Sequence, residues 1–503
     1  MEVAYYNLSG GINQALTKTE LGMDTKKIYW ADSQNVEILQ NRGIVKQNGN
    51  SLFLDLEEEI TGMCEFDAYD KYKMVITTIS GKIYIYDDEY LTTTLLNKTL
   101  TGVKPRFQNF LNGMLVISES DSLFYIKNNS EYDVVDCGLN DLDDTPLTGA
   151  IISVYKGRVW AAKDATIYYS ALGTYNDFET QNDAGYINEF FTDTGAITGL
   201  KPYKDYLAIY KKNNVYLLTG TSPEDFAIVP FADIGACGTD ALINVENKQY
   251  FLSKNGIFAL EQVGELNQIQ LGSEISLKIK EEFNNFRDLN NAKALHYERK
   301  NQIWYFFSYN SDNYYHTIWI NDYLNKAWFK RVLPQNIVTA CRFKEFVYTA
   351  DSSGKIYKED FGKTFNGEPI SFMWKSPFLS VTNPHHRKII DEFYFLLDAE
   401  YDNNFQFYVY KDYDSEYPDD PETIYSIHPE MLIWADENTS DNIPCHWSEN
   451  DLNLPVWAVS RDSLEKAEIS ESNYSVQLCV EGSQAVQSCA IIGLQFREIY
   501  NDD

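Results

Sequence analysis

The feature that most constrains this chain is a hairpin written seven times. Residues 249–260, "QYFLSKNGIFAL", set two apolar runs around the turn Ser253-Lys254-Asn255-Gly256. Asn and Gly tolerate positive φ, so the stretch predicts a tight β-hairpin. The same pattern recurs as "MVITTISGKIYIY" (74–86), "LVISESDSLFYI" (115–126), "VWAAKDATIYYS" (159–170), "LAIYKKNNVYLL" (207–218), "WYFFSYNSDNYYHTIWI" (304–320) and "VYTADSSGKIY" (347–357).

The second runs begin at Ile83, Leu123, Ile167, Val215, Ile257, Ile318 and Ile356. A recurring all-strand unit of roughly 40–50 residues is what a propeller blade requires. Two neighbouring units share a tail, "GTYNDF" from Gly173 and "GTSPEDF" from Gly220. One interval, from Ile257 to Ile318, is longer. It contains "SEISLKIKEEFNNFRD" (273–288), where Ile275, Ile279, Phe283 and Phe286 recur three or four residues apart after a possible N-cap, Ser273. That spacing predicts an amphipathic helix, a short insertion over 273–290. A single blade cannot cover both of its faces, whereas stacking blades around an axis covers them and leaves only short edges. The expected fold is all-β: a β-propeller of six to eight blades over 61–365.

The two ends read differently. Residues 1–60 hold a polar, Gly-bearing stretch without regular period, followed by a hairpin around Asn41-Arg42-Gly43. They are expected to form an N-terminal extended arm and hairpin. After about residue 365 the hairpin spacing is lost, and longer strands are expected over 368–400, 405–414 and 474–500. Residues 366–503 are expected to be a β-sandwich-like domain.

Charge limits the partners. Lys and Arg number 42 against 74 Asp and Glu, a formal net charge of −32. Such a chain repels a phosphate backbone and is a poor candidate for gripping nucleic acid. The start, "MEVAYYNLSGGIN", has no basic region followed by a long apolar run, so no secretory signal is expected. No apolar stretch is long enough for a membrane span. The seven cysteines are scattered, odd in number and never spaced CxxC, which fits reduced structural thiols.

No set of residues converges on a chemistry. His385 and His386 are adjacent, so on a strand they point to opposite faces. Cys445-His446 has no spaced partners, and no metal site is expected. "NDLDDTP" (140–146) and "DYDSE" (412–416) resemble fragments of calcium loops without the glycine and final glutamate. "SGGIN" lacks the strand-then-helix setting of a phosphate cradle, and no nucleophile elbow or Walker loop occurs. The chain is expected to be no enzyme, with no catalytic residue, metal or cofactor.

The order "GGIN", "WADSQNVEILQNRGIVKQNG", "LGTYNDF", "LKPYKDYLAIYKKNNVYLLTGTSPEDFAIV", "IGACGTDALINVENKQYFLSKNGIFAL" resembles the propeller proteins of bacteriophage tails. Among these it is similar to the packaged-DNA stabilisation and tubular nozzle proteins of short-tailed phages. "WKSPFLSVTNPHHRKIIDEFYFLL" resembles their post-propeller strand domain. The resemblance covers most of residues 10–400 and rests on aromatic and glycine positions. It implies a virion protein, made in the host cytoplasm, that forms a tail hub or nozzle ring, usually of six copies. Such a ring contacts the portal, its adaptor and other tail proteins, and genomic DNA passes through the lumen without tight binding. The aperiodic segment at Gly10 and Gly11, and the hairpin near Trp30 and Asn35, are then the expected assembly interface. A propeller adhesin or receptor-binding module of the tail is the alternative, for which "SYNSDNYYHT" (308–317) is the one fitting stretch.

Overall fold

The computed structural model describes residues 2–24, 26–68, 71–188, 195–263, 268–309, 314–381, 385–398, 403–414, 416, 422–426, 462–485 and 490–501. The chain divides into two compact units. The first comprises Met1–Asn48, Asn325–Lys330 and Gly367–Asp503; the second comprises Gly49–Leu324 and Arg331–Asn366.

The second unit is nearly all β. Seven four-stranded antiparallel sheets follow one another along the chain among the described residues. Each of the seven hairpins read from the sequence supplies the middle two strands of one sheet. In the second sheet these are Gly113–Ile117 and Phe124–Lys127. In the fifth they are Lys248–Ser253 and Gly256–Val263, with Ser253 opposite Gly256 across the turn. The middle strands are almost continuously apolar because both faces are covered. Met114 and Val116 pack with Val75 and Ile85 of the first sheet, while Leu115 and Ile117 pack with Val159 and Ala161 of the third. Alternate side chains on one strand therefore serve two neighbours, as the two-residue repeat of a strand dictates.

The seventh sheet contains Ile337–Phe343, Phe346–Asp351 and Lys355–Glu359, and its fourth strand comes from the other end of the chain, Asn50–Asp55. Its Phe343, Tyr348 and Ile356 pack with Met63, Met74 and Ile76 of the first sheet, so the succession closes on itself. This arrangement is consistent with a β-propeller.

The helix expected over 273–288 is corrected. Leu277–Asn284 forms short 3-10 turns, broken at Ile279, and Ser276 rather than Ser273 precedes them. The segment is tied at both ends. The Ile275 N–H donates to Ile257 O at 2.9 Å, and the Arg287 N–H to Ser308 O at 2.9 Å. Tight turns between these anchors still bury Ile279 and stack Phe286 on Phe307 at 4.0 Å, so the apolar spacing is used without an α-helix.

The first unit holds two sheets. One runs Val36–Ile38, Ile44–Lys46, Ala490–Asn501, Lys388–Asp398, Asp462–Asn473, with Glu2–Tyr5 also on Ala490–Asn501. The other runs Asp32–Gln34, Ile370–Lys375, Val476–Gln484, Asn403–Lys411, Glu422–Ser426. Rings from the two sheets meet: Phe393 lies 5.8 Å from Phe407, and Phe395 5.4 Å from Phe405. A void of about 20 Å³, lined by Val36, Ile44, Phe372, Trp374 and Phe405 among others, remains in this unit.

Candidate functional site

The residues expected at an assembly interface sit inside the first unit. Gly11 has φ +67°, and a Cβ there would come within 2.6 Å of the Trp328 backbone nitrogen, so only glycine fits. A Cβ on Gly10 would collide with the backbone of Ile28. Trp30 is fully buried; its Nε1–H donates to Leu8 O at 2.6 Å, and its ring lies 6.2 Å from that of Phe329. Asn35 adopts φ +53°, and its amide Nδ2 donates to Ser371 O at 2.8 Å. Its N–H donates to Lys330 O, and its carbonyl accepts from the Gln47 N–H. In a single copy these four position the chain from within, and none offers an exposed side chain.

Other candidates resolve into local structure. The Asp141 carboxylate accepts from the Thr145 hydroxyl at 2.7 Å and from the backbone N–H groups of Thr145 and Asp143 at 3.0 Å each. Those bonds hold its pKa below the usual carboxylate range. Asp412 accepts from the Tyr474 N–H at 2.6 Å and from Arg387 at 3.3 Å. His385 and His386 are exposed, and no group of three or more metal-ligating side chains converges among the described residues. Two adjacent basic pairs are each split between inside and outside: Lys211 and Lys388 are buried, Lys212 and Arg387 exposed. Cys445, Cys489, His428, His446 and residues 310–313 of the aromatic stretch lie outside the described residues. The other five cysteines are free thiols.

Sequence reading missed a cluster on the first strands of the sheets. Ile60–Ala68 of the first sheet carries Cys64, Ile197–Tyr203 of the fourth carries Lys201, Lys293–Tyr297 of the sixth carries Lys293, and Ile337–Phe343 of the seventh carries Thr339 and Cys341. Lys293 Nζ donates to Thr339 Oγ1 at 3.2 Å. Burial pushes the Cys64 thiol up to about 11, against the opposing pull of Lys293 and Lys201 and with a further push from Glu65. Burial likewise raises the Cys341 thiol, with Cys64 and Lys293 in electrostatic reach. Burial lowers the pKa of Lys201, opposed by Asp240 and Cys64. The sixth and seventh sheets thus meet at Lys293 and Thr339, and Cys64 of the first lies within electrostatic reach of Lys293 and of Lys201 on the fourth. Lys201, Lys293 and Cys64 keep partial solvent exposure, so water reaches this point. Both thiols are neutral at pH 7, so neither is a ready nucleophile. The signal was present in sequence as a lysine within or at the head of a short apolar run, "ITGLKPY" and "KALHY", just ahead of the fourth and sixth hairpins.

No family model matches the chain, and no curated protein matches it. Among solved structures, virginiamycin B lyase from Staphylococcus aureus is similar at a TM-score of 0.42 and 12% identity, over 61% of this chain and 97% of that one. A computationally designed protein is similar at 0.35 and 12%, over 62% and 99%. A chain of the mitotic checkpoint complex is similar at 0.39 and 10%, over 62% and 93%. Likenesses this distant say nothing about activity.

Proposed function

We propose that this chain is a structural protein of a bacteriophage tail, one copy of a ring-shaped hub or nozzle through which genomic DNA is retained and then conducted. The observation that carries the reading is the ordered set of segments from "GGIN" to "IGACGTDALINVENKQYFLSKNGIFAL", which resembles nozzle and stabilisation proteins of short-tailed phages. The net charge of −32 agrees with it, because a conduit for DNA works best when its walls repel phosphate. Within this reading each of the seven sheets is one blade of a seven-bladed propeller. The two facing sheets of the first unit are a sandwich, and the segment before Trp30 is an arm that secures the copy in its ring.

The test is the assembly itself. Electron micrographs of the purified protein at micromolar concentration are expected to show closed rings, six copies being the usual number in the family it resembles. Labelled antibody should mark the tail in intact virions. A chain that stays monomeric at every concentration and salt tried, and is absent from virions, would remove the proposal.

A further inference from the structure

One end of the sixth and seventh sheets carries a cation with no carboxylate of its own. Lys358 lies near the end of the third strand of the seventh sheet, Lys355–Glu359. Its Nζ is 3.7 Å from the centre of the Phe346 ring and 4.6 Å from that of Phe361. The Arg299 guanidinium is 4.5 Å from the same Phe346 ring and 3.6 Å from Glu345. Asp88, the acid in electrostatic reach of Lys358, is bonded by Lys344. Among the described residues Lys358 has no hydrogen-bond or ion-pair partner. Burial, then Arg299 and Lys344, lower its pKa from 10.5, but its side chain is only partly buried, and such a lysine stays protonated at pH 7. Phe361 beside it is 49% exposed.

The other end of the sheets presents the complement. The loop between the second and third sheets carries Leu142, 52% exposed. Among the exposed large apolar side chains of the described residues, Leu142 alone has a carboxylate on each side, Asp141 and Asp143. The loop is fixed from within. The Asp141 N–H donates to Thr145 O at 2.8 Å and the Asp144 N–H to Asp141 O at 3.1 Å, while the Asp141 carboxylate accepts from Thr145 and Asp143. A loop already held in shape loses little freedom on docking. Asp143 is exposed, and its carboxylate has no hydrogen-bond or ion-pair partner among the described residues. In each antiparallel sheet the turn from first to second strand and the exit from the third lie at one end, and the passage to the next sheet lies at the other. Lys344 with Asp88, and Lys73 with Asn128, keep these ends in line from the seventh sheet to the first and second. The Leu142 loop and the Lys358 patch therefore face opposite ways and cannot meet within one copy.

We propose that the two surfaces are a joint between copies: Leu142 of one copy packs against Phe361 of the next, with the Asp143 carboxylate against the Lys358 ammonium. As a joint it rests on the reading of this chain as one copy of a ring. Unlike ends meet, so the contact is head-to-tail, the kind that generates a closed ring or an open filament. The apolar pair supplies the affinity. An exposed ion pair adds little strength but selects the partner and its register, so the repulsion between acidic copies still governs the response to salt.

The test uses the full chain in sedimentation velocity, with circular dichroism to verify that each variant folds. The parent is expected to assemble. Leu142→Ser, Phe361→Ser, Asp143→Lys and Lys358→Glu should each weaken association about tenfold or more. Asp143→Lys and Lys358→Glu combined in one chain should restore most of it, because the charges are then exchanged rather than lost. Leu142→Ser keeps a working patch and Phe361→Ser a working loop, so a mixture of the two should form dimers and stop there. Variants that assemble like the parent, or a mixture that forms no dimer, overturn the joint and leave the ring reading standing. A parent that stays monomeric at every concentration overturns that reading and the joint with it.

Discussion

At the scale of single residues, the strongest constraint is a buried ion pair where the circle of sheets is closed. Arg331 donates from Nε and Nη2 to Glu359 Oε2 at 3.0 and 2.6 Å, with side-chain exposures of 2% and 0%. A further Nη2 bond reaches Gly49 O at 2.8 Å. The other Glu359 oxygen accepts from Asn50 Nδ2 at 3.0 Å and Thr349 Oγ1 at 2.6 Å. The guanidinium also lies 5.0 Å from the Phe365 ring and 5.6 Å from the Trp304 ring. One carboxylate thus joins the last strand of the sixth sheet, two strands of the seventh and the closing strand. Such a pair is not strongly favourable compared with apolar packing, but losing one member strands a charge. Arg331→Met is expected to lower stability by about 3–5 kcal/mol in urea unfolding. Adding Glu359→Leu should recover part of that, the remainder reflecting Asn50 and Thr349 left without their acceptor. A single variant within about 0.5 kcal/mol of the parent, the range of ordinary surface changes, would show the pair to be dispensable. Nothing in the spacing of Arg331, Glu359 and Asn50 reveals the contact, because it exists only after closure.

Among the elements, the shared tails "GTYNDF" and "GTSPEDF" are clasps between successive sheets. Gly173 and Gly220 turn the chain with φ +72° and +109°. Tyr175 then stacks on Tyr125 of the preceding sheet at 4.0 Å and 12°. Phe226 lies 5.2 Å from both Trp160 and Tyr169 of the sheet before its own. Since Phe226 is half-buried, Phe226→Ala is expected to cost about 2–3 kcal/mol, below the range for a fully buried phenylalanine, as thermal or urea unfolding would measure. The second clasp is shaped by an aspartate. The Asp225 carboxylate accepts from the N–H groups of Ser222 and Thr221 at 2.6 and 2.8 Å, and these bonds, led by Ser222, depress its pKa. A depressed carboxylate stabilises the fold above its ordinary pKa, and the effect is lost as pH falls through the depressed one. Amide exchange at Thr221 and Ser222 should therefore accelerate, relative to the core, only when acid protonates Asp225. Acceleration already at neutral pH would show another contact holding the turn. These elements also show what sequence could carry. The seven hairpins were legible because their strands are covered on both faces and so read as unbroken apolar runs. First strands such as Ile243–Val245 are short and partly polar, and they escaped notice together with Lys201 and Lys293. The closing strand Asn50–Asp55 was invisible because its partner, Lys355–Glu359, is remote in sequence. The expected helix at 273–288 failed because anchors at Ile275 and Arg287 outweighed local periodicity.

For the molecule as a whole, the N-terminal residues belong to the first unit, and the charge bears on assembly. Deleting residues 1–25 removes the strand Glu2–Tyr5 and takes Leu8 and Ile12 out of the interior of the first unit. Hydrogen exchange should then rise in Val476–Gln484 while Gly113–Ile117 of the second unit stays protected; equal loosening of both would show that the units share one transition. The charge leads further. In the proposed ring, copies carrying −32 each stand around a common axis, so like charges oppose assembly and buried apolar contacts offset them. Salt should therefore tighten the ring, because screening at about 0.15 M cuts repulsion beyond roughly 8 Å. Sedimentation at rising sodium chloride is the measurement, and a ring that dissociates as salt rises would place attractive ion pairs, not apolar surface, at the joints. DNA supplies the complementary measurement. Protein that grips duplex does so through released counterions, most strongly at low salt. Labelled duplex should therefore show no anisotropy change at about 50 mM salt, even though low salt favours binding most. The exposed basic residues among the pairs noted above, Lys212 and Arg387, each stand beside a buried neighbour, so neither pair presents a continuous cationic track. Micromolar, salt-sensitive binding would mean that such a track forms between copies, and the repelling wall on which the conduit reading depends would have to be given up.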